Sequence, residues 1–432
     1  MNRMICLMGV LAFLGSPLYA EPNPDFRTLQ NENAQLRDRL NHVESELAQI
    51  KALLGDRAPA PVTGKKPILS ALDLELYGYI KLDAAYDNSR TSVGNYGRWA
   101  ESEAVRRNDD QFSMTANQTR LGLRLKGPDM PNVKTTGLLE IDFYGAGAAE
   151  NKPEPMLRHA YVTALWPDYH FSLLAGQTSD IISPLFMPTI NYTVGWWQGN
   201  IGYRRPQVRL TEELALTKTS ALKLDLGGTR TITDRKFFFT GSTDPASGDD
   251  AGFPTFQGRL GLTFPAGAGK PAALGVSGHW GEEEQHETKV GGDRRVDSWS
   301  VNLDAKIPVT KWLMLQGEAF LGQNLDGYLG GIGQGFNTNN LQAVRTHGGW
   351  VAATLEPSPK WQFNLGAGCE DTRNSDLSDA MRSFNGVIFG NGQYFITPNL
   401  SLGVEVSYLH TDYKGQADGD NWREQFTVIY KF

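Results

Sequence analysis

From Leu72 to Phe432 apolar and polar side chains alternate with a period of two, and no stretch approaches the ~20 consecutive apolar residues of a membrane-crossing helix. Successive side chains of an extended strand point to opposite faces, so such a chain is confined to strands with one apolar and one polar face. The final segment, Asn421–Phe432, carries Trp422, Phe426, Val428, Tyr430 and Phe432 on one face and Arg423, Gln425, Thr427 and Lys431 on the other. Glu424 is the one departure. At the start of the stretch, Leu72, Leu74, Leu76, Ile80 and Leu82 oppose Asp73, Glu75, Lys81 and Asp83. Comparable rows recur at Leu121-Leu123-Leu125, Leu222-Leu224-Leu226, Trp299-Val301-Leu303 and Leu400-Leu402-Val404-Val406.

Connections between the rows alternate in length. Short ones carry Pro, Gly or Asp, as at Gly127-Pro128-Asp129, Trp166-Pro167-Asp168 and Thr397-Pro398-Asn399; long ones are polar and Gly-rich, at 88–110, 145–156, 178–206, 230–252, 282–295, 323–344, 371–384 and 412–420. Eight long loops separate sixteen strands, an even number as bacterial barrels require, and residues 71–432 allow about 23 residues per strand and connection. A β-sandwich also alternates. A barrel is favoured by the persistence of the apolar rows, by the charge on the opposite rows, and by Trp166, Trp280, Trp299, Trp312, Trp361 and Trp422 near strand ends, like interfacial girdles. The expected fold is therefore an all-β transmembrane barrel of 16 antiparallel strands over 71–432. Phe112 and Met114 are out of phase with Leu121, which predicts a bulge near Asn117-Gln118, and 157–166 and 169–177 show no clean parity.

Before the barrel the period differs. Arg3, the apolar run Met4–Gly15 and the segment Ser16–Ala20 read as a secretory signal peptide over 1–20. Cys6 leaves with it, so Cys369 is the only cysteine of the exported chain and no intrachain disulfide forms. Over 21–54, Leu29, Asn33, Leu36, Leu40, Val43, Leu47, Ile50 and Leu54 fall at a and d heptad positions, a periplasmic coiled coil. Leu at a with β-branched residues at d points to three or four strands rather than a parallel dimer. Residues 55–70, rich in Pro and Gly, form a linker. Net charge is −7, which argues against nucleic acid as a partner.

Several blocks resemble the DcaP-like porins: Leu76-Tyr77-Gly78-Tyr79-Ile80-Lys81-Leu82-Asp83, Asn117–Leu123, Leu157–Val162, Ala175-Gly176-Gln177 and Arg204–Leu210, behind a signal peptide, a coiled coil and a linker. The terminal Phe432 likewise resembles the signal read by the outer-membrane barrel assembly machinery. The resemblance implies a homotrimeric sixteen-stranded channel in the outer membrane of a Gram-negative cell, embedded in its lipid, with a periplasmic coiled coil, passing small anions such as dicarboxylates.

If the apolar rows face lipid, the inward rows are the chemistry. Lys81, Arg120, Arg124, Arg158, Arg204, Arg205, Arg209 and Arg259 are then candidates for lining the pore and holding solute, because guanidinium groups grip carboxylates in forked pairs and stay charged. The alternative for each is pairing with Asp83, Glu140, Asp142, Asp225, Glu318 or Glu405. The third long loop, 178–206, carries Asp180, Tyr192, Trp196, Trp197 and Tyr203 and is expected to fold inward as a constriction, the alternative being an outer lid or trimer contact. No catalytic, cofactor or metal motif stands out. The histidines lack a nucleophile partner, Gly330–Gly335 lacks dinucleotide-loop spacing, and Asp418-Gly419-Asp420-Asn421 reads as a turn. A rival role is structural, with the coiled coil tethering the envelope to peptidoglycan.

Overall fold

The computed structural model describes residues 73–432 except 107–108, 129, 146–152, 233–250, 268 and 288–291, and the side chains of 106, 285–287 and 292–294. The signal peptide, the heptads from Leu29 to Leu54 and the linker lie outside the described residues.

Sixteen antiparallel strands make one closed sheet. They are β1 (Asp73–Asp87), β2 (Gln111–Thr115 and Arg120–Lys126), β3 (Lys134–Asp142), β4 (Met156–Trp166), β5 (Phe171–Ser179), β6 (Arg204–Ala215), β7 (Ala221–Thr229) and β8 (Thr255–Pro265). The second half is β9 (Pro271–Glu287), β10 (Gly292–Pro308), β11 (Leu313–Gln323), β12 (Arg345–Ser358), β13 (Trp361–Thr372), β14 (Arg382–Phe395), β15 (Leu400–Tyr413) and β16 (Gly419–Lys431). Each strand pairs with its neighbour in sequence. Closure comes from β1 against β16, in a register that runs from Tyr79 opposite Lys431 to Asp87 opposite Arg423. Gly78 and Phe432 finish the seam by exchanging both backbone hydrogen bonds at 3.1 Å. A closed ladder leaves no unpaired edge, which an apolar surroundings would penalise at every free N–H and C=O.

The alternation sorts side chains as expected. Leu76, Ile80, Val162, Leu303, Leu365, Val404 and Tyr430 are exposed on the outer wall, while Asp83, Ser300, Asn302, Asn364, Thr411 and Thr427 are buried inside. Trp312 and Trp361 lie beside short turns, and Trp280 and Trp422 lie towards the long loops, all exposed. These positions match two aromatic belts.

Two irregularities have local causes. At 116–119 strand β2 is interrupted: Thr119 donates to Ala116 O (2.9 Å), and Phe143 donates to Asn117 O (3.0 Å). Both halves of β2 still pair with β1, as a bulge near Asn117-Gln118 requires. In β4, Glu140 opposes His159 while Ile141 opposes Leu157, leaving Arg158 as an extra residue. That bulge explains the lost parity over 157–166. Two expected loops are corrected. Strands β9 and β10 continue to Glu287 and from Gly292, so 282–295 is mostly strand, and β15 and β16 run to Tyr413 and from Gly419, so the expected loop 412–420 shrinks to a turn of 414–418. Those strand ends are polar on both faces, so they carry no apolar row to read.

Long connections gather at one end. There Asp376 accepts a forked pair from Arg345 (Nε 2.8 Å, Nη2 2.6 Å), and its backbone carbonyl receives Asn337 and Asn340, which ties 324–344 to 373–381. Burial alone would raise the Asp376 carboxyl, but the Arg345 hydrogen bonds outweigh it and hold the pKa below its usual value. A depressed carboxylate stabilises above its unfolded pKa and loses that contribution as pH falls through the folded one. The junction is therefore intact at neutral pH and expected to open only below about pH 4. Asp376→Asn should make 373–381 protease-sensitive already at pH 7, as limited proteolysis followed by mass spectrometry would show.

Candidate functional site: an arginine wall and an inward loop

The segment 180–203 leaves β5 and returns to β6 through a stem in which Asp180 N–H donates to Tyr203 O (2.9 Å). Between these points it runs along the inner wall, held by inward side chains of successive strands. Ile181 N–H donates to Gln257 of β8, Ser183 N–H to Ser277 of β9, and Leu185 N–H to Glu318 of β11 (2.8 Å). Further on, Asn391 of β14 donates to Pro188 O. Glu405 of β15 accepts from Thr189 (2.5 Å) and Ile190 N–H (2.8 Å). Lys81 of β1 and Gln425 of β16 both donate to Ile190 O. On the return, Gly199 N–H donates to Glu370 of β13, and Asn385 of β14 donates to Trp197 O. Gly199 has φ +108° and would place a Cβ 2.2 Å from Gly349 O, so only glycine lets the loop sit this close to β12.

The aromatic residues of this segment meet other loops. Tyr192 stacks on Tyr144 at 3.8 Å, Trp99 meets Trp197 edge-on at 6.4 Å, and Val93, Tyr96, Trp196, Tyr203, Leu329 and Ile332 complete a buried cluster. Burial raises the phenol pKa values of Tyr144 and Tyr192 well above normal, so both keep their protons through the physiological range.

The basic residues divide by partner. Lys81 is buried and held by Asp83 (3.2 Å), Gln118 and Ile190 O. Arg205 is sealed from solvent in an ion pair with Asp180 (2.7 Å), over the ring of Tyr328, so it braces the stem rather than facing a passage. Arg259 makes a forked pair with Asp304 (2.9 and 2.7 Å). Arg124 pairs with Glu75 at an exposed site next to a short turn. Arg158 spans Glu140 (2.8 Å) and Asp142 (2.6 Å), and Arg120 reaches the same Glu140 oxygen at 3.4 Å.

Arg209 and Arg204 differ. Arg209 donates to Ser179 O and Gln207. Arg204 is only 4% exposed, and its Nε and Nη2 have no hydrogen-bond partner among the described residues. Its guanidinium lies 4.8 Å from the Tyr203 ring and 5.7 Å from that of Trp196. A buried guanidinium with free N–H groups is a strong anion receptor.

Sequence reasoning did not assign Gln257, Ser277, Glu370, Asn385 or Asn391 to the loop, and it offered Glu318 and Glu405 as partners for arginines. Both carboxylates instead accept from the 180–203 backbone or its side chains. A usable signal was present, since these residues sit in mid-strand on the inward parity, where a polar group must find a partner.

A closed sixteen-stranded barrel with a long loop packed inside it is a porin-type fold. No protein-family model matches the chain, and no curated protein does. Solved structures do. The chain is similar to the outer membrane channel DcaP of Acinetobacter baumannii, at 20% identity and TM-score 0.68 over 86% of this chain and 100% of that one. It is also similar to an anion-selective porin from Comamonas acidovorans (13%, TM-score 0.54, 84% and 100%) and to the trimer form of OmpT of Vibrio cholerae (10%, TM-score 0.52, 84% and 100%). The barrel thus has the architecture of DcaP-like outer-membrane channels.

Proposed function

We propose that the protein is a homotrimeric outer-membrane porin that passes small anionic solutes, dicarboxylates among them, along an arginine-lined wall. Arg204 carries the reading: a buried guanidinium whose Nε and Nη2 have no partner among the described residues, flanked by aromatic faces, calls for an anion to complete it. Apart from its stem, the loop's hydrogen bonds to strands go to β8, β9, β11, β13–β16 and β1, while Arg120, Arg158 and Arg209 stand on β2, β4 and β6. A solute passing between them meets three arginines that outnumber Glu140 and Asp142 on one side and neutral loop backbone on the other. Anion selectivity in the Comamonas porin and the trimer form of OmpT fit this proposal. In this reading the long loops face outside, and Phe432 and the preceding coiled coil face the periplasm.

The test is a planar bilayer holding the purified protein under a salt gradient. The expected result is an anion-selective reversal potential and current blockade by added dicarboxylate. A cation-selective potential without blockade would overturn the proposal.

A further inference from the structure

A second cluster lies on the outer wall at the long-loop end, away from the lumen. Residues 404, 406, 408, 410 and 412 of β15 share the outward parity, and His410 sits directly opposite Asp420 of β16. The His410 ring has a carboxylate on each side: Nδ1 is 2.7 Å from Asp420 and Nε2 is 2.7 Å from Asp412. An imidazolium donates to both carboxylates at these distances, whereas a neutral imidazole leaves one ring nitrogen with a lone pair that can ligate. Asp420 also accepts the Tyr408 hydroxyl, and with Asp420 taking Nδ1–H the ring would present Nε2 as the ligand atom. Asp418 brings a third carboxylate. Ligand atoms of His410, Asp412 and Asp418 lie within 4.8 Å of one another.

We propose that His410, Asp412 and Asp418 bind a divalent ion of the zinc class on the outer rim of the barrel. Two carboxylates and one imidazole neutralise such an ion and leave a position for water, as in three-ligand zinc sites. The imidazole disfavours calcium and magnesium, which prefer all-oxygen shells. Asp420, held by Tyr408, orients the ring from the second nitrogen. In sequence only the Asp418–Asn421 turn was visible. The hairpin brings His410 and Asp412 to it.

Isothermal titration of the chelator-stripped full chain in detergent with zinc chloride alone provides the test. One zinc per chain is expected. His410→Ala and Asp418→Asn should abolish the binding, and Asp420→Asn should weaken it about 10- to 100-fold. Asp412→Asn gives an independent reading should either of the first two fail to fold. An absence of zinc binding in the unaltered protein overturns the proposal. So does undiminished binding in the folded variants, or displacement of zinc by equimolar calcium.

Discussion

Arg205→Ala is expected to lower the stability of the barrel by about 3–5 kcal/mol, the effect of stripping one partner from a buried ion pair. Arg205 and Asp180 are both sealed from solvent. Asp180 would keep its hydrogen bonds from Tyr203 N–H and Gln257 (both 2.7 Å) but lose its counter-charge. Arg205 also donates to Gly327 O (2.8 Å), so its loss removes one of the ties between the 180–203 loop and the 324–344 connection, leaving Gly202 N–H on Tyr328 O (2.7 Å) and Trp197 N–H on Leu329 O (2.9 Å). The measurement is the thermal midpoint of the detergent-folded protein beside its single-channel conductance. The midpoint should fall, and the conductance should rise or become noisy as the loop loosens. Asp180→Asn with Arg205→Met removes both charges and should recover much of the loss, since no uncompensated ion remains. A variant Arg205→Ala as stable as the parent would show that the stem is held by its backbone and Gln257 alone.

Arg204→Ala is expected to weaken dicarboxylate blockade about 10- to 100-fold, the loss of one or two charge-assisted hydrogen bonds. The reversal potential should shift towards zero. The fold should survive, because Arg204 surrenders no carboxylate partner and leaves no orphaned charge among the described residues. Arg204→Lys should restore part of the selectivity but little of the blockade, since an ammonium supplies charge without the fork. Arg124→Ala is a suitable control. Its pair with Glu75 is exposed beside a short turn, and surface pairs contribute little. Equal losses from Arg204→Ala and Arg124→Ala would locate selectivity in the general charge of the wall rather than at Arg204.

The strands were legible wherever one face met an apolar surroundings and the other water, as at Leu400–Val406. They were illegible where that contrast fails. The polar ends of β9 and β10 read as loop, and the bulge at Arg158 erased the parity of β4 while turning two basic side chains to polar partners. Loop interiors were harder still. Tyr96 and Trp99 sit in a connection that reads as polar, yet they are buried against Trp197 and Ile332.

Local alternation is a property of neighbouring residues, so the sequence alone determined the barrel class, the number of strands, the outward apolar rows and the bulge at Asn117-Gln118. It also supplied the basic residues of the inward rows. Which of them stay unpaired depends on contacts between residues far apart in the chain. Asp304 takes Arg259, Asp180 takes Arg205, and Glu318 and Glu405 hold a loop instead of an arginine. Strand pairing sets Asp180 beside Arg205 and Asp304 one strand beyond Arg259's neighbour, and the inward path of the 180–203 loop carries its backbone to Glu318 and Glu405. Arg204 is left as a buried guanidinium whose Nε and Nη2 have no partner among the described residues, because only the tertiary path of these segments decides which groups meet.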